Sequence, residues 1–213
     1  MKRAVIFDLD GVIVSTDEYH YLAWKKVADE AGILFDRTTN ERLRGVSRME
    51  SLEIILRKSS KIYTDVEKNE MAARKNMYYR ELLNRLSPAD ILPGVKHVLE
   101  ELKKLNIRMA IGSSSRNTLL ILERIRLGDF FDAVADGNAI KQGKPDPEVF
   151  LLAAAMLDIE PQDCVVVEDA QAGIDAAVAA GMKAVGVFYA SDYPKAHMSV
   201  KDMNHIHIRK MLE

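Results

Sequence analysis

Four short clusters in the chain carry side chains that could do chemistry together. Asp8-Leu9-Asp10-Gly11 follows the apolar run Val5-Ile6-Phe7, and Ser113-Ser114-Ser115 follows Met109-Ala110-Ile111. Lys144-Pro145-Asp146 lies in a loop, and Glu168-Asp169 follows Val165-Val166-Val167. Singly, each has a plain structural reading: Asp-x-Asp and serine runs make turns, and adjacent acids favour a helix N-terminus. Gathered at one place they mean more. Four carboxylates brought together repel and raise one another's pKa values. A hard divalent cation relieves that repulsion, and oxygen ligands with room for phosphate oxygens suit Mg2+. With a cation and a lysine neutralising a phosphoryl group, an anionic carboxylate can attack it. A second carboxylate two residues further on can serve as general acid and base if it reaches a substrate hydroxyl.

Such a gathering needs a sheet whose strand ends converge. Short apolar, β-rich runs occur at 3–7, 108–111, 133–135, 164–167 and 184–187. Helical patterns separate them, at Val95–Leu105, Thr118–Arg126, Pro147–Leu157 and Ala172–Ala180. Strands alternating with helices imply a parallel sheet covered on both faces, which binds ligands beyond the carboxyl ends of its strands. From about Thr16 to Arg85 the pattern has helical periodicity and no strand. Ser87-Pro88-Ala89-Asp90 reads as a linker, and Pro93 is expected to open a helix. The predicted architecture is therefore α/β. A Rossmann-like parallel sheet core over residues 1–14 and 88–213 carries an inserted all-helical cap domain over residues 15–87. In the tail, His205-Ile206-His207 would share a face on a strand, but no third ligand lies near in sequence, and the pair is read as structural.

Composition bounds the partners. The chain has 213 residues, 48% hydrophobic and 29% charged, which suits one large domain or a domain with an insertion. Thirty basic against thirty-two acidic residues leave a net charge of -2, giving no reason to expect nucleic acid or an anionic membrane as partner. The single cysteine, Cys164, cannot form an intrachain disulfide, so a reducing cytoplasm is expected. Val5-Ile6-Phe7 is too short for a signal-peptide core, and no stretch is long enough to span a bilayer. A soluble, cytoplasmic monomer acting on small molecules is expected.

Asp8-Leu9-Asp10-Gly11-Val12, Ser113, Lys144 and Glu168-Asp169 resemble, in order, the four motifs of the haloacid dehalogenase-like superfamily, over nearly the whole chain. The resemblance implies that Asp8 is a nucleophile and Asp10 a general acid/base. It implies one Mg2+ per site, held by Asp8, the Asp10 carbonyl, Glu168 and Asp169, with Ser113 and Lys144 binding the transferring phosphoryl group. The segments Thr16 to Trp24, Arg44-Gly45-Val46-Ser47-Arg48, Arg74-Lys75-Asn76 and Ser113-Ser114-Ser115-Arg116-Asn117 are similar to the β-phosphoglucomutase family within it. That likeness implies a cap closing over β-glucose phosphate. It also implies interconversion of β-glucose 1-phosphate and glucose 6-phosphate, with β-glucose 1,6-bisphosphate as activator and intermediate. By position, His20 would orient the sugar and couple cap closure to Asp10. Arg48 would clamp the phosphate not being transferred, with Ser115 and Asn117 assisting. Gly45, Val46, Ser47 and Lys75 would contact the sugar, and Thr16, Ser114 and Arg116 complete the substrate-binding set. Trp24 fits cap packing and the sugar pocket equally. A Mg2+-dependent sugar-phosphate phosphatase and a non-catalytic phosphate-binding module are the rival readings. Ser15, where many relatives carry an acid, and Ala170, where others have serine, depart from the pattern without removing a group the chemistry needs.

Overall fold

The computed structural model describes residues 2–43 and 46–213. Six strands form one sheet: β1 (Ala4–Phe7), β2 (Arg108–Gly112), β3 (Ala133–Ala135), β4 (Cys164–Glu168), β5 (Lys183–Gly186) and β6 (Met198–Ser199). Their order is β3-β2-β1-β4-β5-β6, and every pairing is parallel. Ala4–Phe7 lies in register with Arg108–Ile111 on one side and Cys164–Val167 on the other. The chain winds one way from β1 to β3 and the other way from β4 to β6. A crevice therefore opens at the carboxyl ends of β1 and β4, where such sheets bind ligands.

Between β1 and β2 the chain makes a helical excursion: α1 (Asp17–Glu30), α2 (Arg37–Glu41), α3 (Arg48–Leu56) and α4 (Asp65–Leu83). Local chemistry starts three of these helices. The Asp36 carboxylate accepts from Thr39 N at 2.7 Å, and Ser47 with Glu50, then Thr64 with Glu67, form reciprocal capping boxes. Trp24, Val27, Phe35, Leu52, Ile55, Met71 and Ala72 give this helical cap a small core of its own. At its base, Ala23, Tyr79 and Leu83 join the core beneath the sheet instead.

The remaining helices cover the sheet: α5 (Val95–Lys104), α6 (Thr118–Arg124), α7 (Glu148–Leu157), α8 (Gln171–Ala179) and α9 (Ile208–Leu212). Strand side chains alternate in direction. Val5, Phe7, Met109, Ile111, Val165 and Val167 pack with α5, α6 and α9, while Ala4, Ile6, Ala110, Cys164 and Val166 pack with α7 and α8.

Two local expectations are corrected, at Pro93 and at His205 and His207. Pro93 does not open a helix: Gly94, at φ +86°, is left-handed, so α5 starts only at Val95. Ser87–Asp90, read as a linker, is a capped 3-10 turn between α4 and α5, its Ser87 hydroxyl accepting from Ala89 N. His205 ends a 3-10 turn and His207 precedes α9, so the two do not alternate along a strand. The short edge strand β6 carries no run long enough to have marked it in sequence. Among the described residues, no helix is long and apolar enough to cross a membrane.

Candidate active site

Asp8 is the first residue past β1, and its N–H donates to the Val167 carbonyl at 3.0 Å, which carries the sheet pairing one step into the site. The loop then turns back at Gly11, at φ +101°, a conformation L side chains rarely adopt. A Cβ there would collide with the Asp169 carboxylate. Glu168 ends β4, and its Oε2 accepts from Ala170 N at 2.7 Å. Gly173 leaves room for Glu168 against the first turn of α8, because a Cβ at 173 would overlap its carboxylate.

Lys144 reaches into this crevice and is 2% exposed. Its Nζ donates to Asp8 Oδ1 at 2.5 Å and to Glu168 Oε1 at 2.6 Å. Burial alone would lower the lysine's pKa, but the two carboxylates outweigh it and hold it raised. One lysine does not balance the acids. Carboxylate oxygens of Asp8, Glu168 and Asp169 lie within 4.8 Å of one another, all three residues buried. Burial, with repulsion from Glu168 and Asp10, raises Asp8 to about 7 despite Lys144. Burial, then Glu168, Asp8 and Asp10, raise Asp169 to about 9. Three buried, crowded oxygen donors with excess negative charge fit a hard divalent cation such as Mg2+.

The Asp10 carboxylate faces the cap and stands outside this cluster. Thr16 N donates to its Oδ1 at 2.7 Å, the Thr16 hydroxyl donates to Oδ2, and His20 Nε2 lies 3.3 Å from Oδ2. Burial pushes the Asp10 pKa up, but the bonds from His20 and Thr16 outweigh it and leave it lowered. An ionised carboxylate can only accept, so His20 carries its proton on Nε2. Its Nδ1 then accepts from Lys75 Nζ at 2.7 Å. Burial and the Lys75 charge lower His20 to about 4, so the ring is neutral at neutral pH. Lys75 is itself held well below its usual value by burial and by Arg48. Its Nζ sits 4.4 Å from the Tyr79 ring centre and 5.2 Å from that of Trp24. Tyr79 closes the group, with Oη 2.7 Å from the Thr16 hydroxyl and its ring 4.1 Å from that of His20.

A second group of side chains lining the same cleft is cationic. Arg48 begins α3, and its Nη2 donates to Asn76 Oδ1 at 2.9 Å. Asn117 Nδ2 donates to the same oxygen at 2.9 Å, and Arg80 Nη1 donates to Asn117 Oδ1 at 3.3 Å. Arg116 Nε donates to the Gly137 carbonyl at 3.2 Å. Among the described residues, no carboxylate pairs with Arg48 or Arg116. Burial and Arg116 both press the Arg48 pKa down. The serines tie the intervening loop together: Ser115 N donates to Ser113 Oγ at 3.2 Å, and Asn117 N to Ser115 Oγ at 3.1 Å. Ser114 Oγ is buried without a partner among the described residues.

One cleft of about 810 Å³ is lined by both groups. It is lined by Asp8, Asp10, His20, Trp24, Val46, Ser47, Arg48, Lys75, Ser113 to Asn117, Lys144, Glu168 and Asp169. Thr16 is buried behind Asp10 and does not line it, and Gly45 lies outside the described residues. Trp24 packs in the cap core, 2% exposed, and also borders the cleft. Lys75 is buried rather than solvated. Sequence reasoning passed over Tyr79, Arg80 and the bridging role of Asn76. The available signal was i, i+4 spacing on α4, which pairs Lys75 with Tyr79 and Asn76 with Arg80 on common faces.

A family model of haloacid dehalogenase-like hydrolases matches residues 2–181. Among curated proteins, the chain is 53% identical to a β-phosphoglucomutase of Bacillus subtilis over 187 residues, covering 87% of this chain and 83% of that one. It is 34% identical to a phosphorylated carbohydrates phosphatase of Thermotoga maritima, covering 91% of this chain and 89% of the relative. Among solved structures, a β-phosphoglucomutase from Clostridium difficile superposes with a TM-score of 0.93 at 42% identity, covering 99% of this chain and 95% of that one.

Proposed function

The chain belongs to the haloacid dehalogenase-like hydrolase family, and on that premise we propose that it interconverts β-D-glucose 1-phosphate and glucose 6-phosphate. The reaction runs through a phosphorylated Asp8 and bound β-glucose 1,6-bisphosphate. The observation that carries this reading is that one cleft is lined by two groups able to hold a phosphate. Asp8 and Lys144 belong to one, and Arg48 and Arg116, without carboxylate partners among the described residues, to the other. A substrate with one phosphate needs one such group, whereas a bisphosphate needs two. A guanidinium fork suits the phosphate that is not reacting. The identity to the Bacillus protein, higher than to the Thermotoga phosphatase, supports the same choice.

In the proposed cycle, phospho-Asp8 meets β-glucose 1-phosphate, whose 1-phosphate rests against Arg48, Ser115, Arg116 and Asn117. Asp10 takes the proton of the sugar 6-hydroxyl as its oxygen attacks phosphorus and the bond to Asp8 breaks. The bisphosphate turns over within the cleft. Asp8 then attacks the 1-phosphate, Asp10 returns the proton to the departing O1, and glucose 6-phosphate leaves. Lys144 and Ser113 neutralise and orient the transferring group. A Mg2+ held by Asp8, the Asp10 carbonyl, Glu168 and Asp169 would supply charge neutralisation there. His20, its Nε2 proton on Asp10, keeps that carboxylate ionised and aimed until it accepts a proton. Lys75, Gly45, Val46, Ser47 and Trp24 are proposed to surround the sugar, and Thr16 to act through Asp10. Residues 15–87 are taken as the cap, with residues 1–14 and 88–213 as the catalytic core, acting together as a cytoplasmic monomer.

A coupled assay tests this reading by following glucose 6-phosphate made from β-glucose 1-phosphate, with and without the bisphosphate, alongside phosphate release. Bisphosphate-stimulated isomerisation that outpaces phosphate release is expected. Phosphate release with no isomerisation would make the chain a phosphatase.

A further inference from the structure

Four side chains form one hydrogen-bonded line between cap and core: Arg48 to Asn76, Asn117 to Asn76, and Arg80 to Asn117. The line's polarity is fixed from both ends. A guanidinium only donates, so the Asn76 atom facing Arg48 is its oxygen, and the Asn117 atom facing Arg80 is its oxygen as well. Asn117 then offers Asn76 its NH2 group. Flipping either amide would set donor against donor, so this arrangement is the one that satisfies both arginines. Asn76 and Arg80 share a face of α4 and straddle Asn117, which precedes the first turn of α6 in the core.

The Asn76 oxygen uses both its lone pairs here. By accepting one N–H of Arg48 it fixes the plane of the fork and leaves the other guanidinium donors for an anion. By accepting from Asn117 it sets the spacing between a donor from the cap and a donor from the core. Without it, Arg48 would be a long side chain repelled by Arg116 and entropically inclined to swing toward water. A carboxylate in its place would hold Arg48 more firmly but would cancel its charge and repel an incoming phosphate. A neutral acceptor holds the arginine and leaves its charge available.

We propose that Asn76 is the positioning residue of the distal-phosphate clamp, and so determines selectivity for substrates carrying a second phosphate. The inference rests on the reading of Arg48 as that clamp. The quantity to measure is a ratio: kcat/KM for β-glucose 1-phosphate over the rate at which acetyl phosphate, which has no distal phosphate, phosphorylates Asp8. Asn76→Ala should lower this ratio about tenfold, the scale of a lost hydrogen bond to a charged group. In an Arg48→Ala background the same substitution should lower it no further. Asn76→Asp, isosteric and still an acceptor, should also lower the ratio, an outcome a merely structural bridge would not give. Should Asn76→Ala fail to fold, Asn76→Ser is held to the same outcomes. An equal fall in both reactions, losses that multiply with those of Arg48→Ala, or a wild-type ratio in Asn76→Asp would each overturn the proposal. A normal Asn76→Ala beside a crippled Arg48→Ala sinks this inference alone. A wild-type ratio in Arg48→Ala sinks the clamp reading and this inference together.

Discussion

Asp8 and Asp10 stand two residues apart and meet opposite surroundings. Burial and neighbouring acids raise Asp8, while His20 and Thr16 outweigh burial at Asp10 and lower it. Two like groups with environments that push them apart can divide nucleophile and acid/base duties. Asp8→Asn should therefore abolish transfer, because a neutral amide is a far weaker nucleophile, while Tm stays level or rises as one charge leaves a crowded cluster. Mass spectrometry after incubation with acetyl phosphate should find the adduct in wild type and none in the variant, and a phosphorylated variant would refute the assignment. Asp8, Lys144, Glu168 and Asp169 were legible as a group because each follows a strand or a loop expected at one sheet end. Asn76 and Tyr79 were not. Their partners Arg48, Asn117 and Thr16 lie 28, 41 and 63 residues away, and a helical pattern does not say which polar residues of a face will meet others at that range.

At the scale of elements, the sequence told where strands and helices fall but not how closely they approach. The five longer strands and the alternation of helices follow from apolar runs. The two-residue β6 and the left-handed turn at Gly94 depend on pairing and packing that no local pattern carries. The junction of β4 with α8 makes the point sharply. Gly173 sits inside α8, where propensity alone says alanine would gain about 1 kcal/mol. A Cβ at that place would overlap the Glu168 carboxylate, so α8 or Glu168 must shift, at a cost of about 1–3 kcal/mol typical of overpacking. Gly173→Ala should thus destabilise the protein in urea and weaken its Mg2+ requirement curve. A stabilised variant with unchanged Mg2+ response would show that the contact yields freely.

For the whole molecule, the crowded acids link metal, pH and stability. The folded pKa values of Asp8 (about 7) and Asp169 (about 9) stand above their ordinary 3.8. Their contribution to stability is complete below 3.8 and is lost as pH rises through those folded values. Mg2+ binds the ionised forms and must displace these protons, so the rise in Tm that it produces should grow steadily from about pH 6 to about pH 9. His20 and Lys75 also titrate differently in folded and unfolded chains, but they act with and without metal and largely cancel in the difference. A Mg2+-induced shift independent of pH would show that these carboxyls are not the metal's ligands. The strand order has a consequence for how the molecule is made. Strand β1 lies mid-sheet, yet its neighbours begin only at Arg108 and Cys164. At about 5–20 residues per second of synthesis, Ala4–Phe7 waits roughly 5–20 seconds with both edges unpaired and Val5, Ile6 and Phe7 uncovered. The helical excursion, whose own core is complete in sequence before β2 emerges, can condense during that wait. The nucleophile leaves the ribosome about 155 residues ahead of the strand that completes its site, and it gains its setting only when that fourth strand arrives.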